Sequence, residues 1–154
     1  MSINIRSVFP LFIFCFIFLP NFLKAQSNTQ GKENNHCVVK KSPFRLSMDS
    51  GMKVFSVQCL TCHQADGLGV PSMNPPLTGK RVMGDKSILI EIVIKGLATH
   101  EEIDGQTYQN VMPAHPDMND KDIADVLTYI RNSFGNKASS VKVSDVKTVR
   151  SKLK

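Results

Sequence analysis

Tryptophan is absent from the 154-residue sequence, and tyrosine occurs only twice. Phenylalanine supplies the other nine rings, several of them before residue 19. The folded part therefore has few aromatics from which to build a core. Four cysteines are too few for a disulfide-dense scaffold at this length. Charged residues make up 21% and hydrophobic residues 42%, so most of the chain can fold. There is no sign of collagen, a coiled coil or a polytopic membrane protein, and no internal repeat. The length is that of one domain with some chain left over.

The net charge of +6 and a pI of about 9.3 would ordinarily raise nucleic-acid binding. Its distribution argues against that. Residues 1–25 carry +2, residues 26–47 carry +3 and residues 137–154 carry +5, whereas residues 48–136 carry −4. The basic charge lies outside the segment with folding patterns, so no nucleic-acid partner is expected.

Arg6 precedes an apolar run over residues 8–19, followed by Asn21, Lys24, Ala25 and a polar stretch. A basic start, a short apolar centre and a small residue at the exit describe a secretory signal peptide over residues 1–25. Twelve apolar residues span about 18 Å as helix, short of a bilayer core of about 30 Å. The other reading is an uncleaved anchor running on through Phe22 and Leu23. Export places the chemistry in the periplasm, or on the periplasmic face of the inner membrane if the segment stays. Cys15 leaves with the signal, and Cys37, Cys59 and Cys62 remain.

Residues 26–47 read as a polar linker, and Cys37 within it as a free thiol or an intermolecular disulfide. Within residues 48–136 the pattern predicts three helices. In the first, over residues 49–60, Met52, Phe55 and Cys59 share a face. The second, over residues 85–95, has Asp85 as its cap and Gly96 as its stop. The third begins at the Asn119 cap and carries Ile123, Val126, Leu127, Ile130 and Phe134 on one face, with Met118 placed to staple onto Ile123. Asp104-Gly105 predicts a tight hairpin between the second and third. Residues 137–154 form a basic tail or short helix starting at Ser144. It packs on the domain, or meets an acidic partner or an anionic membrane surface.

Cys59-Leu60-Thr61-Cys62-His63 is a CxxCH motif. Two thiols at this spacing can add to the two vinyl groups of one haem, and the adjacent His can then ligate its iron. Zinc would need further ligands, and Cys37, His100 and His115 are scattered. A redox dithiol would want a βαβ frame, which is missing. For the position opposite His63, Met112 stands in the loop Val111-Met112-Pro113-Ala114-His115-Pro116, where two prolines restrict the backbone. His115 is the alternative ligand, and His100 reads as a surface residue. The turn Pro75-Pro76-Leu77-Thr78-Gly79 can bring a carbonyl to His63 Nδ1, or be an ordinary turn.

These elements together resemble class I cytochrome c. Gly51, Phe55 and the CxxCH motif are similar to that family's first helix and attachment site. Pro75-x-Leu77-x-Gly79 resembles its proximal loop, Val111-Met112-Pro113 its axial methionine segment, and residues 125–131 its last helix. The longer run to Asn136 resembles a bacterial periplasmic subgroup with a single haem. The resemblance implies an all-α fold of three core helices around one covalent haem c, with a short hairpin. It implies thioethers at Cys59 and Cys62, iron ligands His63 and Met112, and the Pro75 carbonyl on His63. It also implies a crossing of the first and last helices at Gly51, Phe55, Val126 and Tyr129.

With both axial positions filled, the expected function is passage of single electrons between a redox protein donor and acceptor, without enzymatic activity of its own. The alternatives are the haem subunit of a larger periplasmic oxidoreductase, such as a quinoprotein dehydrogenase, and a ligand-binding haem sensor with a labile Met112. Phe55, Ile88, Ile92, Val126, Leu127 and Ile130 are expected to line the haem pocket. Membrane contact would run through the basic tail or an uncleaved N-terminus.

Overall fold

The structure is a computed structural model that describes residues 40–98, 100 and 102–153. The signal peptide, Cys15, Cys37 and residues 26–39 of the linker lie outside the described residues. Helix α1 spans Pro43–Gln58, and α2, Leu60–His63, follows directly. Helix α3 is Lys80–Met83 and α4 is Lys86–Lys95. Strands β1, Glu102–Ile103, and β2, Gln106–Thr107, pair antiparallel. Helices α5, Asp120–Ile130, and α6, Val143–Lys152, complete the described chain. Four of these helices carry the packing, so the fold is all-α.

Local signals explain most boundaries. The Ser42 side chain accepts from the Arg45 N–H and Pro43 opens α1, a favoured start because proline has no N–H to leave unpaired. The helix thus begins six residues before the expected Asp49, and residues 43–47 are helix rather than linker. Asp85 caps α4 by accepting from Ser87 N–H, and Gly96 ends it at φ 75°. Asn119 caps α5 by accepting from Asp122 N–H. Between β1 and β2, Asp104 and Gly105 both have positive φ, the requirement of a type I′ turn.

Helices α1 and α5 cross closely. A Cβ added at Gly51 would lie 2.1 Å from the Asp125 carbonyl oxygen, so only hydrogen fits there. Beside the crossing Phe55, Tyr129 and Phe134 stack in a triangle, with ring centroids 5.3–5.8 Å apart. Such pairs contribute about 0.5–1.5 kcal/mol each beyond their buried area. Ser47 Oγ–H donates to Asp125 at 2.6 Å, fastening the early turns of α1 to α5.

Phe134 reaches that triangle from outside α5. The helix ends at Ile130, and Phe134 sits in the following turn at φ 55°. Asn136 Nδ2–H donates to the Ile130 and Leu77 carbonyls at 2.9 and 2.7 Å, which satisfies the frayed end. Arg131, buried at the same end, donates to the carbonyls of Val82, Gly84 and Ser139. It thereby joins α5 to the turn between α3 and α4. Among the described residues no helix is long and apolar enough to cross a membrane.

The expected tail helix exists as α6, with a different start. It begins at Val143, and the Asp145 carboxylate accepts from Lys142 N–H at 2.9 Å. Ser144 is therefore inside the helix and does not cap it. Val146 is completely buried, and Val149 and Leu153 pack on the core, as the i, i+3, i+7 spacing requires.

Candidate haem site

The end of α1 and the short α2 carry Cys59, Cys62 and His63 to a mostly apolar pocket. Pro75 and Asn74 come from the loop after α2. Leu97, Ala98, Ile103, Tyr108, Asn110, Val111, Met112 and His115 come from the chain between α4 and α5. The five residues singled out by sequence, separated by up to 53 positions (59 to 112), thus line one space.

The loop after α2 is fastened to the histidine it serves. Gly69 N–H donates to the His63 carbonyl at 3.1 Å, Val70 N–H to Asn74 at 3.0 Å, and Leu77 N–H to Gly67 at 2.7 Å. These bonds hold Pro75 so that its carbonyl accepts from His63 Nδ1 at 3.1 Å. A carbonyl can only accept, so Nδ1 carries the ring proton and the Nε2 lone pair is free. The ring is buried, and burial lowers its pKa while the Pro75 bond opposes that. Burial is the larger effect and favours the neutral imidazole, while the Pro75 bond orients it.

The two thiols differ. Cys59 packs against the apolar core, whereas Cys62 is exposed. Burial first, and the Cys62 neighbour second, push Cys59 up to about 11. Its sulfur is a protonated thiol at neutral pH. Among the described residues no three His, Cys, Asp or Glu side chains gather tightly enough to hold a bare metal ion.

The opposite wall is backbone-built. Met112 N–H donates to Leu97 at 3.1 Å and Leu97 N–H to Met112 at 3.0 Å. His115 N–H donates to Val93 at 3.0 Å, which ties the next stretch to α4. His115 also lines the cavity, so the alternative ligand is present in the same wall. Asn110 N–H donates to Met73 and Gln109 N–H to Ser72, both at 3.1 Å. The segment leading to Met112 is thereby zipped to the loop that carries Pro75.

The expected lining was wrong in an instructive way. Phe55, Val126, Leu127 and Ile130 are buried in the helical core, not in the cavity wall, and Ile88 is 49% exposed. Ile92 also lies outside the lining. Non-helical residues from 97 to 111 take that role. Their composition, Leu97, Ile103, Tyr108 and Val111 amid polar neighbours, carries no period that would have exposed them.

The arrangement fits a haem. Two sulfurs stand at CxxCH spacing beside an imidazole with a free, oriented Nε2. The same mostly apolar pocket is lined by Met112. Such a group needs attachment points and apolar surroundings, and this site offers both.

Comparison with known proteins agrees. The family described as Cytochrome c matches residues 48–134. A cytochrome c-552 of Thermus thermophilus is 33% identical over 118 residues, covering 70% of this chain and 78% of the relative. The cytochrome c subunit of a quinone alcohol dehydrogenase from Gluconobacter oxydans is 31% identical over 106 residues, covering 66% of this chain and 22% of that protein. The gluconate 2-dehydrogenase cytochrome c subunit of Pantoea cypripedii is 33% identical over 106 residues, covering 66% of this chain and 24% of that protein. The chain belongs to the cytochrome c family: it is an electron-transfer protein with haem c as its cofactor.

Proposed function

We propose that residues 48–136 hold a single haem c and pass one electron at a time between a redox protein donor and a redox protein acceptor. In this reading Cys59 and Cys62 form the two thioether links. His63 Nε2 and the Met112 thioether would ligate the iron, and the Pro75 carbonyl fixes the His63 ring. The observation that carries the reading is the His63–Pro75 hydrogen bond. It frees Nε2 toward the same cavity that Cys59, Cys62 and Met112 line.

The bound haem supplies a one-electron ferric/ferrous couple, and a thioether ligand favours the reduced form. The chain's own work is to keep water away, hold the two ligands and leave one edge accessible. Leu97, Ile103 and Tyr108 exclude water from the cavity. With both axial positions taken by side chains, no place is left for a substrate.

Residues 1–25 act in this reading as an export signal, and the protein works in the periplasm with residues 26–42 as a spacer. The similarity to dehydrogenase cytochrome subunits supports a second reading, a haem subunit within a larger oxidoreductase. Co-purification with a second chain at fixed stoichiometry separates the two. Visible spectra of the oxidised, reduced and carbon monoxide-treated protein test the site. A c-type reduced spectrum, a thioether–iron charge-transfer band and no carbon monoxide response are expected. Ready carbon monoxide binding would transfer the ligand role from Met112 to His115 or leave the position open.

A further inference from the structure

We propose that α6 is a strap that holds the Met112 loop against the cavity, with Arg150 as its positioning residue. The inference rests on Met112 as the iron ligand and adds what keeps that ligand in place.

Arg150 does not face solvent as a tail cation ordinarily does. Its Nη1–H donates to the Pro116 carbonyl at 2.8 Å and its Nη2–H to the Met118 carbonyl at 2.6 Å. Nε–H donates to the Asp120 carboxylate at 2.8 Å. One planar fork therefore holds two carbonyls on the stretch between Met112 and α5 and the first residue of α5, which suits a guanidinium and not an ammonium. The stretch needs such a partner. Pro113 and Pro116 lack N–H groups, and its own ties are His115 N–H to Val93 and a longer Met118 N–H to His115, 3.3 Å. Its start is fixed by Met112 and Leu97; at its far end Met118 packs on the core and Asn119 caps α5, and Arg150 supplies the hydrogen bonds to the Pro116 and Met118 carbonyls.

The strap itself is anchored. Val146 is fully buried and Val149 and Leu153 pack on the core. Asp145 pairs with Lys86 of α4 at 2.5 Å. Helix α4 also bears the backbone that pairs with Met112, since Gly96 and Leu97 follow its last turn. The strap thus touches both supports of the ligand loop. It also lies beyond residue 134, where the family match ends.

The test uses the haem-loaded full chain with Arg150→Gln, Arg150→Lys and, as a control remote from the loop, Ser47→Ala. The thioether–iron charge-transfer band and the far-ultraviolet circular dichroism are followed through a urea titration, and carbon monoxide uptake by the reduced protein is recorded at each urea concentration. Arg150→Gln is expected to lose the band at lower urea than it loses helix. Its reduced form should take up carbon monoxide at a urea concentration where the wild type, equally helical, takes up none. Arg150→Lys recovers part of the difference through Asp120. Ser47→Ala loses band and helix together and takes up carbon monoxide only as helix is lost. If Arg150→Gln takes up carbon monoxide no earlier than the wild type, or loses band and helix in step, the strap is overturned while Met112 stands. A wild-type protein without the band overturns the Met112 reading, and the strap with it.

Discussion

The two walls of the cavity are built by different means. The wall with Cys59, Cys62 and His63 ends a helix that crosses α5 at a glycine and is backed by three stacked rings. The wall with Met112 has no helix. Paired backbone hydrogen bonds to Leu97, a bond to Val93 and the Arg150 fork hold it. The first is rigid by packing, where a misfit of tenths of an ångström is costly. The second is a set of separable bonds, each worth about 1 kcal/mol net. The Cys59–His63 wall is thus secured by core packing, and the Met112 wall by contacts that can open singly.

Substitutions can break or sharpen this contrast. The largest effect is expected from Cys59→Ser with Cys62→Ser, which removes both covalent links. Acid–solvent extraction should then release all the haem, and any retained fraction would argue against these two attachment points. Next comes Gly51→Val. Its Cβ would stand 2.1 Å from the Asp125 carbonyl oxygen, so overpacking should cost about 3 kcal/mol or more, read as a lowered thermal midpoint of the whole protein. Met112→Ala should act locally. Carbon monoxide binding to the reduced protein goes from undetectable to stoichiometric and the charge-transfer band vanishes, while the midpoint falls less than for Gly51→Val. Equal losses of stability in these two variants would erase the distinction between the walls.

The smallest effect concerns pH. Burial alone would raise Asp145, but the Lys86 side chain and the Lys142 N–H outweigh it and hold the carboxyl below its ordinary 3.8. A carboxyl lowered on folding contributes stability that is present above 3.8 and disappears as pH falls through its native value. Asp145→Asn should therefore cost about 1 kcal/mol at neutral pH and flatten the acid limb of stability below that point. Urea midpoints at pH 7 and pH 3 for both proteins measure it.

Much of this was legible because local signals carried it. Asp85, Asn119 and Asp104-Gly105 each determine their structure through their own side chain or φ. CxxCH and the prolines that follow Met112 pointed to the candidate site for the same reason. Where the reading missed, the cause was a signal overshadowed or a pattern continued too far. Ser42-Pro43 is a proper helix start, but it stands in polar composition that reads as linker. Phe134 keeps the helical spacing of α5 beyond the helix end, so periodicity alone placed it on the wrong element. The cavity lining comes from a stretch without period, brought into place by bonds to Leu97, Met73 and Ser72 that no local rule announces. Arg150 could have been suspected only as a cation in a weak helix. Its carbonyl partners lie more than thirty residues away, Pro116 by 34 and Met118 by 32.

The Leu97–Met112 pair has one further consequence. It closes a sixteen-residue span (97 to 112) at its neck, and a Cβ at Gly96 would come within 2.4 Å of the Met112 carbonyl oxygen, so the closure is tight. At the far end of the span nothing approaches within 4 Å of a Cβ placed on Gly105. Lengthening a loop costs only about 0.6 kcal/mol per doubling. Residues inserted at Asp104-Gly105 would therefore be absorbed at the tip, and the neck would keep Met112 in register with Leu97. The span is a part of the molecule that evolution or an engineer can resize at its tip without moving its neck.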